Sequence, residues 1–346
     1  QNLLYKNNGD GTFTEVGDET GTNLTMDAMS TTIGDYNNDG WLDIYVTNTL
    51  AGNVFLKNNG DGTFSNIAEN NGTLFESAAW GAVFLDAEND TDLDLYVSGA
   101  LDGTTSFLPS AFYENDGFGN YTIPSSAGFE NDTAQSFSNA IGDINNDGYP
   151  DIAVLNYEPH NIFLWKNITN QNNNWLKVKL EGIDSNRQGI GSWIEISING
   201  NKQYNYTLCG EGFLGQNSAY EFFGLGSASS VDYVKVTWLS GQVDVIENPS
   251  INSHITIIEG GELGINENQD NNLLVYPNPG KKFHIKINNF NEKMTLYVTD
   301  ITGKILFSTS QQSSEISIDL SDFNIGVYFL KIFNQSQILT KKLIIN

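Results

Sequence analysis

Three nine-residue loops in the first half of the chain repeat one acidic pattern. They occupy residues 35–43, 86–94 and 143–151 and read DYNNDGWLD, DAENDTDLD and DINNDGYPD, and we call them loops one, two and three. Side chains that carry oxygen stand at positions 1, 3, 5 and 9 of each loop. Together with a backbone carbonyl at position 7, they describe a cage for a hard cation, and the pattern predicts Ca²⁺.

Loop two departs from this pattern at position 6, where Thr91 replaces the glycine of the other two loops. A β-branched residue resists the positive φ that such a turn requires, whereas Glu88 and Asp92 add carboxylates that attract a cation. None of the loops is an EF-hand, because position 12 is valine in all three and not the bidentate glutamate of that motif.

A second motif has the same period as the acidic loops. It reads LYKNNGDGTF at residues 4–13 and FLKNNGDGTF at residues 55–64, and shorter copies follow at 112–117 and 163–167. The equivalent residues Lys6, Lys57, Glu114 and Lys166 are 51, 57 and 52 residues apart, and the acidic loops start 51 and 57 residues apart. Asn-Gly and Asp-Gly pairs between apolar residues predict hairpin turns. Two markers with one period predict a tandem array.

The elements that hold these loops are predicted to be strands. A short apolar segment follows each loop directly, at residues 44–46, 95–97 and 152–154, and suits a central strand of a sheet. A unit of about 50 residues with several short strands has the size of one propeller blade. We therefore predict an all-β chain that begins with a partial β-propeller of about three blades at residues 1–170. Since Gln1 stands in the middle of a repeat, we expect further blades before it.

Two further β domains are predicted after the repeats. Alternating segments at residues 175–180, 193–198 and 231–238 predict a β-sandwich-like domain at residues 174–259. The polar residues 260–273 indicate a linker, and short strands in residues 274–346 predict a small immunoglobulin-like β-sandwich.

Residues 1–170 resemble FG-GAP or VCBS repeats, the calcium-loop blades of integrin-like propellers and of many bacterial surface proteins. The resemblance rests on the acidic loops and the hairpin motifs in phase with them. It implies structural Ca²⁺, up to three ions, bound by positions 1, 3, 5 and 9 and by the carbonyl of position 7. The implied ligands are Asp35, Asn37, Asp39, Trp41 (carbonyl) and Asp43; Asp86, Glu88, Asp90, Asp92 (carbonyl) and Asp94; and Asp143, Asn145, Asp147, Tyr149 (carbonyl) and Asp151.

The middle of the chain is similar to the ASPIC/UnbV domain through residues 185–191, 210–218, 223–226 and 236–241, and this resemblance implies no settled activity. The tail resembles the type A C-terminal sorting domain of the type IX secretion system of Bacteroidetes. That resemblance is carried by VYPNP at residues 275–279, YVTDITGK at 297–304, GVYFLK at 326–331 and KKLIIN at 341–346. It implies the type IX secretion machinery as a partner and an extracellular or outer cell-surface location.

Composition excludes several classes of partner and site. The net charge is −26, and only seven Lys and Arg187 precede residue 271, so a nucleic-acid partner is disfavoured. The sequence contains no apolar run of about 18 residues, so no transmembrane segment is predicted. Cys209 is the only cysteine and cannot form an internal disulfide; we predict a small core residue.

We therefore predict a secreted or cell-surface Ca²⁺-binding protein for recognition or adhesion, with an extracellular glycan or protein as ligand. No catalytic residues and no enzymatic activity are predicted, because His160, His254 and His284 share no spacing and no nucleophile motif is present. Two alternatives remain open at this point. One is a propeller-based polysaccharide lyase or hydrolase whose catalytic part lies outside this sequence, and the other is a spacer that binds nothing.

Overall fold

The chain is built from strands, as the sequence predicted. The computed structural model describes residues 1–49, 52–100, 110–129, 132–169, 171–261, 273–287, 294–300, 303–333 and 338–345. In these ranges the only helix is α1 (Gly17–Thr20), and it is too short to span a membrane. The chain divides into two compact units, Gln1–Asn266 and Glu267–Asn346.

The repeat region contains a hairpin followed by three antiparallel sheets. The hairpin pairs β1 (Tyr5–Asn7) with β2 (Phe13–Glu15). The first repeat sheet has the order β3 (Ala28–Gly34), β4 (Asp43–Asn48), β5 (Val54–Asn58), β6 (Phe64–Asn66). The second contains β7 (Ala78–Leu85), β8 (Asp94–Ala100), β9 (Ser110–Asn115) and β10 (Tyr121–Thr122), and the third contains β11 (Ser136–Gly142), β12 (Asp151–Asn156) and β13 (Phe163–Trp165).

Each acidic loop joins the first two strands of its sheet. Position 9 is the first residue of β4, β8 or β12, and it pairs with the last residue of the strand before the loop. These three strands lie inside their sheets, so the predicted central strands are confirmed. The loop is therefore the closed end of a strand pair, and its geometry is fixed by the sheet.

The repeat sheets pack on one another through both faces of their central strands. Leu95, Tyr96 and Val97 of β8 are all fully buried although successive strand residues face opposite sides. Leu95 and Val97 pack in a cluster with Phe55 of the first sheet. Tyr96 packs in another cluster with Ile152 of the third sheet. A sheet covered on both faces by its sequence neighbours is consistent with propeller-like blades.

The middle of the chain forms two sheets over one apolar core. The strands are β14 (Asn174–Glu181), β15 (Trp193–Ile198), β16 (Asn201–Tyr206), β17 (Glu221–Gly226), β18 (Tyr233–Thr237), β19 (Val243–Glu247) and β20 (Ser253–Ile258). One sheet has the order β17, β14, β20, with β14 parallel to β20, and the other has the order β16, β15, β18, β19. Leu176, Ile196, Phe223 and Val236 belong to the buried cluster between them. Cys209 is exposed, so its predicted place in the core was wrong; it lies in the segment between β16 and β17.

The second unit is a two-sheet sandwich, as predicted for the tail. Its strands are β21 (Leu273–Tyr276), β22 (Lys282–Ile287), β23 (Met294–Thr299), β24 (Ile305–Gln311), β25 (Glu315–Asp319), β26 (Gly326–Phe333) and β27 (Ile338–Ile345). The sheets have the orders β21, β22, β25 and β24, β23, β26, β27. Alternate residues such as Phe283 and Ile285 of β22 face the shared core. Most of the predicted linker, residues 262–272, lies outside the described residues.

Candidate functional site

The three acidic loops share one backbone turn. Position 4 is asparagine in each loop, with φ of 55° at Asn38, 55° at Asn89 and 56° at Asn146. Position 6 has φ of 87° at Gly40, 91° at Thr91 and 91° at Gly148. Thr91 thus adopts the conformation of the glycine that it replaces, at a cost on the order of 1–3 kcal/mol. Loop two keeps the geometry of the other loops despite its sequence.

The carboxylate at position 1 organises this turn. One of its oxygens accepts the N–H of position 5 and the other accepts the N–H of position 6. The distances are 3.0 and 2.9 Å at Asp35, 2.9 and 2.8 Å at Asp86, and 3.1 and 2.8 Å at Asp143. Because all three loops repeat both bonds, the acid at position 1 has a structural role before any cation is considered.

The carboxylate at position 9 joins the acidic loop to the second repeated motif. Its Oδ1 accepts the backbone N–H of Asn58 at 2.7 Å in loop one, of Asn115 at 2.9 Å in loop two and of Asn167 at 2.7 Å in loop three. The same asparagines donate from Nδ2 to the position 8 carbonyls at 3.2, 3.1 and 3.2 Å. The hairpin motif by itself predicts only a plain turn and does not reveal the role of these asparagines. The period that it shares with the acidic loops is the signal for that role.

Loop one contains a buried carboxylate oxygen without a hydrogen bond of ordinary geometry. In loops two and three, Oδ2 of position 9 accepts the N–H of position 2, from Ala87 at 3.0 Å and from Ile144 at 2.8 Å. Asp43 is fully buried as well, but its Oδ2 has no hydrogen bond of ordinary geometry in the described part of the chain. The N–H of Tyr36 at position 2 still lowers its pKa, although burial outweighs that effect. A buried polar oxygen in this state indicates a missing partner.

Burial raises the pKa of several loop carboxyls. The pKa of Asp35 rises to about 6 through burial, although the N–H of Gly40 opposes the shift. Burial raises the pKa of Asp43 to about 7, against the N–H of Asn58 and with the neighbouring charges of Asp39 and Asp35. A cation among these groups would reverse both shifts, because it favours the ionised form.

Loop two is the most strongly charged of the three. Burial and then the charge of Asp90 raise the pKa of Asp86 well above its ordinary value. Burial raises the pKa of Asp92 to about 7, and burial followed by the charge of Glu88 raises that of Asp94. These carboxyls repel one another in the absence of a cation.

In loops one and three, the side chains at positions 3 and 5 are turned toward each other. Asn37 Nδ2 donates to Asp39 Oδ2 at 2.9 Å, and Asn145 donates to Asp147 Oδ2 in the same way. Across the described ranges, no three His, Cys, Asp or Glu side chains converge as a metal cluster. An asparagine ligand at position 3 must therefore turn its amide so that its oxygen faces the cation.

The middle sheets cover the acidic loops. An added Cβ at Gly40 of loop one would lie 3.3 Å from the ring of Tyr204 on β16, and one at Gly148 of loop three would lie 1.9 Å from the indole of Trp175 on β14. Gly224 of β17 faces loop two so closely that a Cβ there would lie 2.0 Å from Asp86 Oδ2. The loops thus form the surface on which the middle sheets pack, a contact that the sequence did not predict.

Loop three also meets a charged side chain of the middle sheets. Lys177 Nζ of β14 lies 2.6 Å from Asp143 Oδ2, and only 4% and 2% of the two side chains are exposed. This ion pair joins the third repeat sheet to the middle of the chain.

Comparison with protein families agrees with this division of the chain. Residues 1–46 match the FG-GAP-like repeat, residues 182–263 match ASPIC and UnbV, and residues 274–346 match the secretion system C-terminal sorting domain. The protein combines FG-GAP repeats, an ASPIC/UnbV domain and a type IX secretion sorting domain. The sorting domain marks secreted or cell-surface proteins and implies interaction with the type IX secretion machinery. A chain with this tail is therefore a secreted or cell-surface protein.

Solved structures resemble the chain only remotely. PorZ of Porphyromonas gingivalis, a surface component of the type IX secretion system, is 12% identical with a TM-score of 0.27, over 99% of this chain and 56% of PorZ. Dimeric latent PorU of the same organism is 14% identical with a TM-score of 0.19, over 92% of this chain and 29% of PorU. The chain thus spans about half of the first and less than a third of the second. No curated protein sequence matches the chain.

Proposed function

We propose that this surface protein binds Ca²⁺ in its acidic loops and uses the stabilised repeats to recognise or adhere to an extracellular ligand. The observation that carries the calcium proposal is Asp43, whose Oδ2 is buried without a hydrogen bond of ordinary geometry, so that the N–H of Tyr36 compensates its charge only in part. Burying a charged oxygen is costly unless a cation or hydrogen bonds compensate it. The pKa shift of Asp43, from 3.8 to about 7, corresponds to ~4 kcal/mol against its ionised form.

All three loops contain the oxygen ligands that this proposal requires, and in loops one and two no lysine among the described residues faces the carboxylate at position 1. The ligands in loop one are Asp35, Asn37, Asp39, the Trp41 carbonyl and Asp43, and those in loop two are Asp86, Glu88, Asp90, the Asp92 carbonyl and Asp94. Bound Ca²⁺ supplies the positive charge that these buried carboxylates lack. The turn that holds position 1 is already formed by the backbone, so the sheets supply the rigidity of the site. Calcium then acts as a structural ion at the closed end of the strand pairs that bind it.

The recognition part of the proposal rests on a groove beside loop two. A cavity of about 630 Å³ lies between the second and third repeat sheets. Its lining includes the aromatic residues Phe129 and Trp165 and the charged residues Glu88, Glu114 and Lys166. Apolar rings with a few convergent polar groups are typical of small-ligand sites. This chemistry suits a glycan, which presents C–H faces to rings and hydroxyl groups to carboxylates. Since Glu88 also belongs to loop two, the groove and the calcium site share a residue.

Thermal unfolding tests the calcium part. The full chain should melt at a higher temperature with millimolar Ca²⁺ than with a chelator, and Mg²⁺ should have a smaller effect because it demands stricter octahedral geometry. The Asp43→Asn variant should lose most of the calcium shift that comes from loop one. The calcium proposal fails if the chelator leaves the melting curve of the parent protein unchanged.

Binding to a glycan array tests the recognition part. The calcium-loaded full chain should bind a subset of glycans, and Glu114→Gln in the groove should weaken that binding. Glu69→Gln, at an exposed position outside the groove, is the matched control. Uniform non-binding, or equal loss in both variants, would contradict the groove as a glycan site and would favour a protein ligand.

A further inference from the structure

The ion pair between Lys177 and Asp143 lies inside the protein. Both side chains are less than one-tenth exposed. In every other ion pair found among the described residues, at least one of the two side chains is more than one-third exposed. The contact joins β14 of the middle sheets to position 1 of loop three. A buried ammonium is unfavourable unless it is paired and held in good geometry, so this lysine requires its carboxylate.

Aromatic rings fix the position of the ammonium. Lys177 Nζ lies 5.2 Å from the ring centroid of Trp175, 5.5 Å from that of Tyr220 and 6.0 Å from that of Phe222. Rings at these distances attract a cation through their negative faces and exclude water from it. The ammonium is therefore confined between three rings and one carboxylate, and it is not a mobile surface charge.

Only loop three receives such a cation in the described part of the protein. The corresponding neighbour from the ASPIC/UnbV domain is the neutral ring of Tyr204 at loop one and the backbone of Gly224 at loop two. The carboxylates at position 1 of these two loops are buried without a lysine. The three loops are alike in sequence and in backbone turn, but they differ in the charge that faces them.

We infer that Lys177 is the resident cation of loop three, so that its ammonium neutralises Asp143 in place of a metal ion. Loops one and two then take calcium, and loop three takes none. The inference rests on the proposed calcium function for the first two loops, but its own evidence is the lysine. A divalent ion at Asp143 would stand next to a fixed ammonium that shares its carboxylate, and the two like charges would repel.

A consequence follows for the contact between the domains. The third repeat sheet is joined to the middle sheets by the ammonium of Lys177, a cation that belongs to the chain itself. The first two acidic loops depend instead on Ca²⁺, which can dissociate. Removal of calcium should therefore loosen loops one and two and leave the Lys177 contact in place.

Counting bound calcium by native mass spectrometry and titration calorimetry tests the inference on the full chain. The parent should bind two ions. Lys177→Met, which keeps an unbranched apolar side chain between the rings, should bind three because loop three is freed. Lys179→Met is the matched control: it lies on the same strand with 37% of its side chain exposed, and it should still bind two. Asp143→Asn in the parent should leave the count at two.

The outcomes separate this inference from the calcium proposal. Three ions in the parent, or the loss of one ion on Asp143→Asn, would overturn the inference while leaving calcium binding intact. A Lys177→Met protein that gains no ion would overturn it as well, whatever the parent binds. If the parent binds none and Lys177→Met binds one, the inference stands and the proposed calcium sites in loops one and two fail. Should Lys177→Met not fold, the count in the parent together with the count in Asp143→Asn decides the matter.

Discussion

Asn38 Nδ2 donates a 2.9 Å hydrogen bond to the carbonyl oxygen of Thr91, which joins position 4 of loop one to position 6 of loop two. The next pair of loops repeats the contact, because Asn89 Nδ2 donates to the carbonyl of Gly148 at 3.2 Å. Positions 4 and 6, which have positive φ, are thus the positions that connect neighbouring loops. Each of these hydrogen bonds joins two loops through a peptide carbonyl at position 6, which is not among the proposed metal ligands.

Replacing Asn38 by alanine should weaken this connection. Asn146 is the matched control, because it occupies the same position with φ of 56° but makes no such bond to another loop in the described structure. Both substitutions lose the tolerance of asparagine for this backbone conformation, and only Asn38→Ala also loses the inter-loop hydrogen bond. Asn38→Ala should therefore cost about 1 kcal/mol more unfolding free energy than Asn146→Ala, as measured by urea denaturation. Equal costs would mean that the contact contributes nothing.

Thr91→Gly should stabilise the calcium-free protein by about 1 kcal/mol, because relief of the strained φ exceeds the added chain entropy of glycine. The matched substitution runs in the opposite direction. Gly62 has a φ of 89°, and an added Cβ would meet no atom within 4 Å, so Gly62→Thr introduces the same strain without a clash. Urea midpoints should move up for Thr91→Gly and down for Gly62→Thr. A destabilised Thr91→Gly protein would show that the threonine side chain has a role of its own.

The repeats could be predicted from the sequence because their signals are local. Asn and Gly at fixed positions specify the turns, and the apolar run after Asp43 or Asp94 specifies a strand that begins at the last residue of the loop. Short strand-like segments, which include those of β22 and β26, likewise predicted the tail sandwich. Even the doubtful position, Thr91, was predicted to require an unfavourable φ, and it has one.

The surroundings of the loops could not be predicted in this way. Lys177 follows a pattern that marks a strand, and nothing near it in the sequence indicates Asp143 as its partner. The packing of Gly224 on Asp86 depends on how the ASPIC/UnbV domain meets the repeats, which no local pattern encodes. Cys209 was assigned to the core from its apolar character alone, and it is exposed between two strands. Long-range complementarity, not periodicity, decides these contacts.

The calcium-free protein should become less stable as the pH rises from about 4 to about 7. Asp43 has a folded pKa of about 7 and Asp35 one of about 6, both above the ordinary value of 3.8. The folded state therefore binds more protons than the unfolded state in this window, and deprotonation favours unfolding. Melting temperatures in chelator across this range would measure the loss.

Asp43→Asn provides the control, because other carboxyls also titrate in this window. It should flatten the pH dependence relative to the parent in chelator, and the stabilisation by Ca²⁺ should be smaller at pH 5 than at pH 7 in the parent, since calcium binds the ionised carboxylates. An identical pH profile in the parent and in Asp43→Asn would mean that Asp43 does not contribute to the pH dependence of stability.

Two motifs of the ASPIC/UnbV domain meet at one buried carboxylate. Glu259 Oε2 accepts the backbone N–H groups of Ile183 and Ser185, each at 2.7 Å. Its Oε1 accepts the hydroxyl groups of Ser185, at 2.7 Å, and of Ser240. Burial opposes the charge of Glu259, but the hydrogen bonds from Ser240 and Ser185 outweigh it and lower its pKa to about 2. The serines of the two motifs therefore have a structural role around this anion.

Glu259→Gln should lower the melting temperature at pH 7, because a neutral amide presents N–H groups to a site built from donors. The folded pKa of about 2 lies below the ordinary 4.5, so the stabilisation is complete above the higher value and is lost as the pH falls through the lower one. The difference between parent and variant should accordingly shrink from pH 7 toward pH 2. Glu247→Gln, at an exposed position of β19, is the control and should change neither quantity. A difference that stays constant with pH would mean that the shape of the side chain, and not its charge, stabilises the domain.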